Sequence, residues 1–321
     1  MSDEKEYRVR LCYDVKGWAY FRRCEALQKY APDDFEVTIG PDYGSAFKKK
    51  KHDLVLQLCY PYVKQIARHV QKGYPGMVLV TGVNVAWREV RAWWANVAQY
   101  SDWIVLNSQA AFHHAEKPPK TCYISNGVDR EQFQMKVAPE DRKPRALSIG
   151  SQFHKGNKGF TSVLVEVAEK LKPHGIETDF RCVNSHSKSR MNATQMCDWY
   201  NTGTIYVVAS QAEGTPNPAI EASSCGCVPV ATAVGNMPEL IEHGHNGYIV
   251  DRQADAIVAS IVEAQGRYVE MSAAMQIEIE PWHWGVRGRQ YFDLFRTLID
   301  ERRNGMPQTE TAPIGDAAVA G

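Results

Sequence analysis

"ASQAEGTPNPAIEASSCGCVPVATAVG", residues 209–235, holds two glutamates, Glu213 and Glu221, with a Gly-Thr-Pro-Asn-Pro turn between them. The apolar run 204–209 precedes the turn and reads as a strand. A helix of small residues follows. Pro216 or Pro218 suits its first turn, where a proline forfeits no internal hydrogen bond. In parallel α/β sheets, ligands bind outside the carboxyl ends of the strands. Residues 210–217 lie at such an end, with Glu213 in the loop and Glu221 about one turn into the helix. The N–H groups of Thr215, Asn217 and Ala219 are expected to surround this rim and to attract phosphate esters. Carboxylates beside a phosphate are repelled by it, so they are expected to grip neighbouring hydroxyls. The plainer reading is that Glu221 favours the helix dipole and Glu213 is a solvated loop residue.

The same alternation extends outward in both directions. Short apolar, β-branched runs at 7–13, 35–39, 53–59, 77–81, 103–107 and 122–125 are candidate strands, followed by 145–150, 178–183, 204–209, 228–232 and 247–250. Helical periodicity fills 18–30, 61–71, 86–100, 159–172, 192–201, 217–225 and 255–278. Near-continuous hydrophobic strands with helices between them predict parallel sheets covered on both faces, two of them in sequence. The charged, aperiodic stretch "QMKVAPEDRKPRA" at 134–146 marks the expected boundary. The expected organisation is a first domain over 1–140, a second over 141–284, a helix over 285–303 and a disordered tail over 304–321. That helix shows one apolar stripe through Val286, Tyr291, Leu294, Phe295, Leu298 and Ile299.

The 321 residues are 44% hydrophobic and 23% charged, as in ordinary globular proteins, and 37 basic residues balance 37 acidic ones. Net charge therefore names no nucleic acid or membrane surface as a partner. Eight scattered cysteines, without a CxxC pair, predict buried free thiols in a reducing compartment. Cys225-Gly-Cys227 lies in an apolar stretch without nearby ligands, which argues against a metal or redox pair. A charged N-terminus and the lack of a long apolar run predict a cytoplasmic location without a transmembrane segment.

Residues 213–250, "EGTPNPAIEASSCGCVPVATAVGNMPELIEHGHNGYIV", look like the signature of GT-B glycosyltransferases of the retaining family 4 type (group 1). The pattern is Glu, seven residues, Glu, a small-residue helix, G-x-P-V, a further Glu, and G-x-x-G before a strand. "CYDVKGWAYFRRCEAL", "CYISNGVDREQF", "SIGSQFHKGNKGF" and "PWHWGVRGRQYFDLFRTLI" resemble further segments of that family in order.

The resemblance implies two Rossmann-like domains whose parallel sheets face a cleft, with the last helix crossing back onto the first domain. A nucleotide-sugar donor would be held mainly by the second domain. Glu213 and Lys158 take the catalytic positions, Glu213 toward sugar hydroxyls and Lys158 toward the diphosphate. Glu221 would hold the ribose diol. Gly17, Gly214, Thr215, Asn217, Ala219, Ser151 and Asn184 are the other implied donor-binding residues, and Asn84 and Trp18 lie on the acceptor side. No cofactor and no metal are expected. Ser151 stands where the family usually has an arginine, with His154 or Lys155 as possible compensation, and Asn84 stands where many relatives have a histidine. The two prolines also remove amides that related proteins often retain.

The implied function is transfer of a sugar from a nucleotide-diphosphate-sugar with retention of configuration. The alternatives are a weak or inactive sugar-nucleotide-binding protein and a sugar-nucleotide epimerase. The acceptor is open: a glycan, a small molecule, a nucleic acid or a lipid-linked group. "FKKKKH" at 47–52 and "WREVRAWW" at 87–94 are the basic and aromatic runs that would suit an anionic acceptor. The plainer reading, a solvated loop and a core-facing helix, is the favoured one.

Overall fold

The computed structural model describes residues 6–41, 52–73, 77–83, 86, 90–115, 120–183 and 191–305. Two compact units emerge, Met1–Asn126 with Trp284–Gly321, and Gly127–His283. Asn84, Asn184, Phe47 with the lysine run 48–51, residues 87–89 and the tail beyond 305 fall outside the described residues.

In the first unit, β1 (Tyr7–Tyr13), β2 (Phe35–Pro41), β3 (Leu54–Gln57), β4 (Val78–Val83), β5 (Trp103–Leu106) and β6 (Thr121–Tyr123) form one sheet in the order β2-β1-β3-β4-β5-β6. Every pairing in it is parallel. Between the strands run α1 (Ala19–Lys29), α2 (Val63–Gly73), α3 (Trp94–Tyr100) and α4 (Gln109–His114). In the second unit, β7 (Arg145–Ser151), β8 (Glu177–Val183), β9 (Ile205–Val208), β10 (Val228–Thr232) and β11 (Tyr248–Val250) pair in parallel in the order β11-β10-β9-β7-β8. Its helices are α5 (Val163–Leu171), α6 (Ala193–Tyr200), α7 (Asn217–Ser224), α8 (Met237–Leu240), α9 (Ala254–Gly266) and α10 (Tyr268–Glu278), after which α11 (Trp284–Arg303) rejoins the first unit.

Strands β3, β4, β5, β9 and β10 are buried along their whole length, as parallel sheets covered on both faces require. Pro229 is tolerated inside the second sheet because the β10–β11 ladder begins only at Val230. Each sheet carries a hydrophobic cluster on either face. Residues Trp284, Tyr291, Phe292, Leu294, Phe295, Leu298 and Ile299 of α11 join α1 in covering one face of the first sheet. Within that layer Arg23 is buried without a hydrogen bond on any guanidinium nitrogen, and its Cζ sits 4.9 Å above the Tyr291 ring.

Several expected boundaries shift for local reasons. The units part at Asn126–Gly127 rather than near 140, because residues 128–142 bond into the second unit. The Val128 N–H donates to Trp282 O at 2.8 Å, and the Lys136 N–H to Asn201 Oδ1 at 2.6 Å. The Arg142 guanidinium donates to the carbonyls of Val137, Gly203 and Cys225. The helix expected over 159–172 begins only at Val163, since Gly159 has φ +82° and its Cβ would sit 2.9 Å from Ala209 O. The helix expected over 255–278 breaks at Arg267, whose φ is −120° and whose side chain donates to Gly244 O. Seven of the cysteines are buried free thiols, but Cys182, on the edge strand β8, is exposed.

Candidate active site at the carboxyl end of the second sheet

The chain leaves β7 toward β8 on one side and returns as β9 on the other. The loops after β7 and β9 therefore diverge, and this switch point is where open α/β sheets leave room for a ligand. A small pocket opens there, lined in part by Ile149, Lys158, Tyr206, Ser210, Glu213 and Pro218.

The loop after β7 brings Lys158 across to the loop after β9. Its Nζ donates to Glu213 Oε1 at 2.5 Å, with the two side chains 21% and 13% exposed. The Ser210 hydroxyl donates to the same oxygen at 2.7 Å. No described residue bonds Glu213 Oε2. Both loops are braced from below. Asn157 Nδ2 donates to Ala212 O at 2.9 Å, the Gln211 N–H to Asn157 O at 2.9 Å, and Arg252 to Ala209 O and Gly156 O. A Cβ at Gly150 would lie 2.7 Å from Phe160 Cε2 and 3.2 Å from Lys158 Cδ, so the glycine makes room for the lysine stem. On the far side, a Cβ at Gly235 would lie 2.3 Å from Gly214 O. Gly235 thus packs directly under the loop that carries Glu213.

Glu221, half-buried on α7, accepts a hydrogen bond from the Tyr200 hydroxyl at 2.8 Å. Burial raises the Tyr206 phenol well above its usual range. The charges of Glu221 and Glu213 push it further, so both carboxylates act on this one ring in the pocket wall.

The structure brings Lys158, Glu213, Gly214 and Thr215 to this rim. Glu221 stands behind them on α7. The amides of Asn217 and Ala219 do not face a ligand as expected. The Asn217 N–H donates to Thr215 O at 2.9 Å and the Ala219 N–H to Pro216 O at 2.8 Å, because Pro216 caps the helix and turns the first amides inward. Ser151 ends β7 half-buried, while His154 and Lys155 are exposed. Gly17 has φ +83° after β1, beside the switch point of the first sheet, with open space on its Cβ side. Trp18 caps α1 and is half-buried. Ser210, Tyr200, Tyr206, Gly150 and Gly235 are not among the site residues read from the sequence. Ser210 could have been found from its place three residues before Glu213, whereas the others carry no local signal. Among the described residues no group of three or more His, Cys, Asp or Glu side chains could hold a metal ion, and no helix is long and apolar enough to cross a membrane.

Residues 143–265 match the family described as Glycosyl transferases group 1. That match lies within the second unit. The chain is 36% identical over 113 residues to D-inositol 3-phosphate glycosyltransferase 1 of Catenulispora acidiphila, and 24% identical over 117 residues to the corresponding enzyme of Thermobispora bispora. These stretches are 34% and 35% of this chain and 27% of each relative's length. The fold is similar to that of sucrose-phosphate synthase from Thermosynechococcus elongatus, with a TM-score of 0.72 at 14% identity, covering 92% of this chain and 99% of that one. It is similar also to Anabaena HepE, solved in complex with UDP and glucose, with a TM-score of 0.67 at 14% identity, covering 91% and 100%. Two parallel-sheet α/β units similar to these structures make the fold GT-B.

Proposed function

We propose that this chain transfers a sugar from a nucleoside-diphosphate-sugar to an acceptor hydroxyl with retention of anomeric configuration. The observation that carries the reading is the meeting of Lys158 and Glu213 at the switch point between β7 and β9. The group 1 match over this unit and the UDP and glucose bound to HepE support it.

In this reading Lys158 leaves Glu213 for the diphosphate, and Glu213 turns to the hydroxyls of the transferred sugar. Glu221 takes the ribose diol. As the bond from the anomeric carbon to the phosphate oxygen breaks, positive charge grows on the sugar and negative charge on the diphosphate. The Lys158 ammonium stabilises the latter, so the site needs no metal ion for that task. The departing phosphate oxygen accepts the acceptor's proton, and the acceptor oxygen bonds to the same face of the sugar. Trp18 is the proposed acceptor-side residue.

The inward-turned amides of Asn217 and Ala219, and Ser151 in place of an arginine, favour a second reading, a protein that binds the donor without turning it over. A thermal-shift screen against nucleotide-sugars tests the shared part, because a ligand of the folded state alone raises its stability. One of them should raise the melting temperature, Glu221→Ala should weaken that effect by about ten-fold in ligand concentration, and Lys158→Met should lower turnover by about 100-fold. A panel without any stabilising nucleotide-sugar defeats both readings. Measured turnover removes the second.

A further inference from the structure

Tyr200 is the last residue of α6, and Glu221 sits on the adjoining α7. The tyrosine is fully buried, yet its hydroxyl reaches a half-exposed carboxylate. Three rings hold its own ring in place, with centroids at 5.3 Å for Trp199, 6.0 Å for Tyr206 and 6.1 Å for Phe133. Its main-chain carbonyl accepts the Cys227 thiol at 3.2 Å, on the strand side of α7. The helix behind it is pinned at its start by a reciprocal capping box between Asn192 and Gln195. A phenol so placed has one rotamer and one direction in which to donate.

From this geometry we infer that Tyr200 is a positioning residue, which fixes the carboxylate plane of Glu221 and thereby makes the site select ribonucleotides over 2′-deoxyribonucleotides. The inference rests on the reading that Glu221 holds the ribose diol. A glutamate left to itself spreads over several rotamers and must be ordered when a ligand arrives. Here Tyr200 orders it beforehand by holding Oε2. A carboxylate with a set plane meets both hydroxyls of a cis-diol at once, while a mobile one does not. Burial, and then the Glu221 charge, hold the Tyr200 phenol well above its usual range, so the hydroxyl stays a donor throughout the working pH range.

The test measures dissociation constants for UDP, GDP and ADP, each against its 2′-deoxy counterpart, on the full chain and on Tyr200→Phe. The wild type should prefer one ribonucleotide by about ten-fold or more, because a site built around a hydroxyl rejects the analogue lacking it. In Tyr200→Phe, which keeps the ring and its neighbours, the ribonucleotide should weaken by about ten-fold while its deoxy counterpart is unchanged. A merely structural role would weaken both alike. Glu221→Asp keeps the charge but draws the carboxylate away from the Tyr200 hydroxyl, so its ratio should fall toward that of Tyr200→Phe. This variant also carries the test if Tyr200→Phe does not fold, since a wild-type ratio in Glu221→Asp then overturns the inference. A wild type that discriminates, beside a Tyr200→Phe that discriminates equally, overturns the role of Tyr200 and leaves the donor reading standing. A wild type that binds a pair without discrimination, or binds none, overturns both.

Discussion

Gly235 offers the sharpest perturbation, because one methyl group there tests the placement of the Glu213 loop. Its φ is +55°, and an added Cβ would lie 2.3 Å from Gly214 O, 2.9 Å from Gly214 C and 3.3 Å from Glu213 O. Real Cβ atoms essentially never come within 3.0 Å of such neighbours, so in Gly235→Ala the loop must retreat by roughly 1 Å. The left-handed conformation costs about 1–2 kcal/mol for alanine, and overpacking adds about 1–3 kcal/mol. A domain of this size loses about 2–4 °C in melting temperature per kcal/mol, so a fall of about 4–20 °C is expected. A misplacement near 1 Å at a reacting centre costs about 100-fold in rate. Gly175→Ala is the control. Gly175 has φ +68° with nothing within 4 Å of its Cβ, so it should show the strain of about 1 kcal/mol alone, with turnover unchanged. The assay is kcat/KM for the nucleotide-sugar that most stabilises the wild type, beside a thermal melt of each variant. If Gly235→Ala is folded and turns over within three-fold of wild type, the loop does not position the reacting groups and the reasoning is refuted.

Two further outcomes follow from buried charge. Burial lowers the Arg23 guanidinium from its ordinary value to about 10, which at neutral pH is a cost of about 3 kcal/mol to the folded state. Arg23→Met should therefore stabilise the first unit by about 1–3 kcal/mol in denaturant unfolding, after loss of the contact with Tyr291. Destabilisation instead would mean that the guanidinium has an anionic partner. Asp179 is pushed up by burial, but hydrogen bonds from Arg181 and Trp199 outweigh that and lower it overall. A carboxylate depressed by folding stabilises fully above its unfolded value, near pH 4, and loses that contribution as pH falls through the folded value. Melting temperature measured from pH 6 to pH 2 should fall less in Asp179→Asn than in wild type, and parallel curves would show the group to be uncoupled.

Much of the fold was legible without coordinates, because strand and helix periodicity are local. The eleven strands among the described residues lie where apolar runs sit, and the run of sheet, boundary and second sheet follows from their order. Glu213 and Glu221 were legible for the same reason, since strand, proline turn and helix set their rim within a few residues. Legibility ended where contacts span sequence. Lys158 and Glu213 stand 55 positions apart and meet only because β9 inserts beside β7 and not beside β8. Tyr200 reaches Glu221 because α6 and α7 pack on one face of that sheet. The prolines marked the helix start correctly, yet the direction of the Asn217 and Ala219 amides depended on which carbonyl lay nearest. Residues 134–146 read as a boundary by composition, but the bonds of Lys136 to Asn201 and of Arg142 to Gly203 O tie that stretch to the second unit. Local pattern determines the elements and their sequence; burial of both faces and strand order decide which side chains meet, since those energies arise only once distant segments exclude water together.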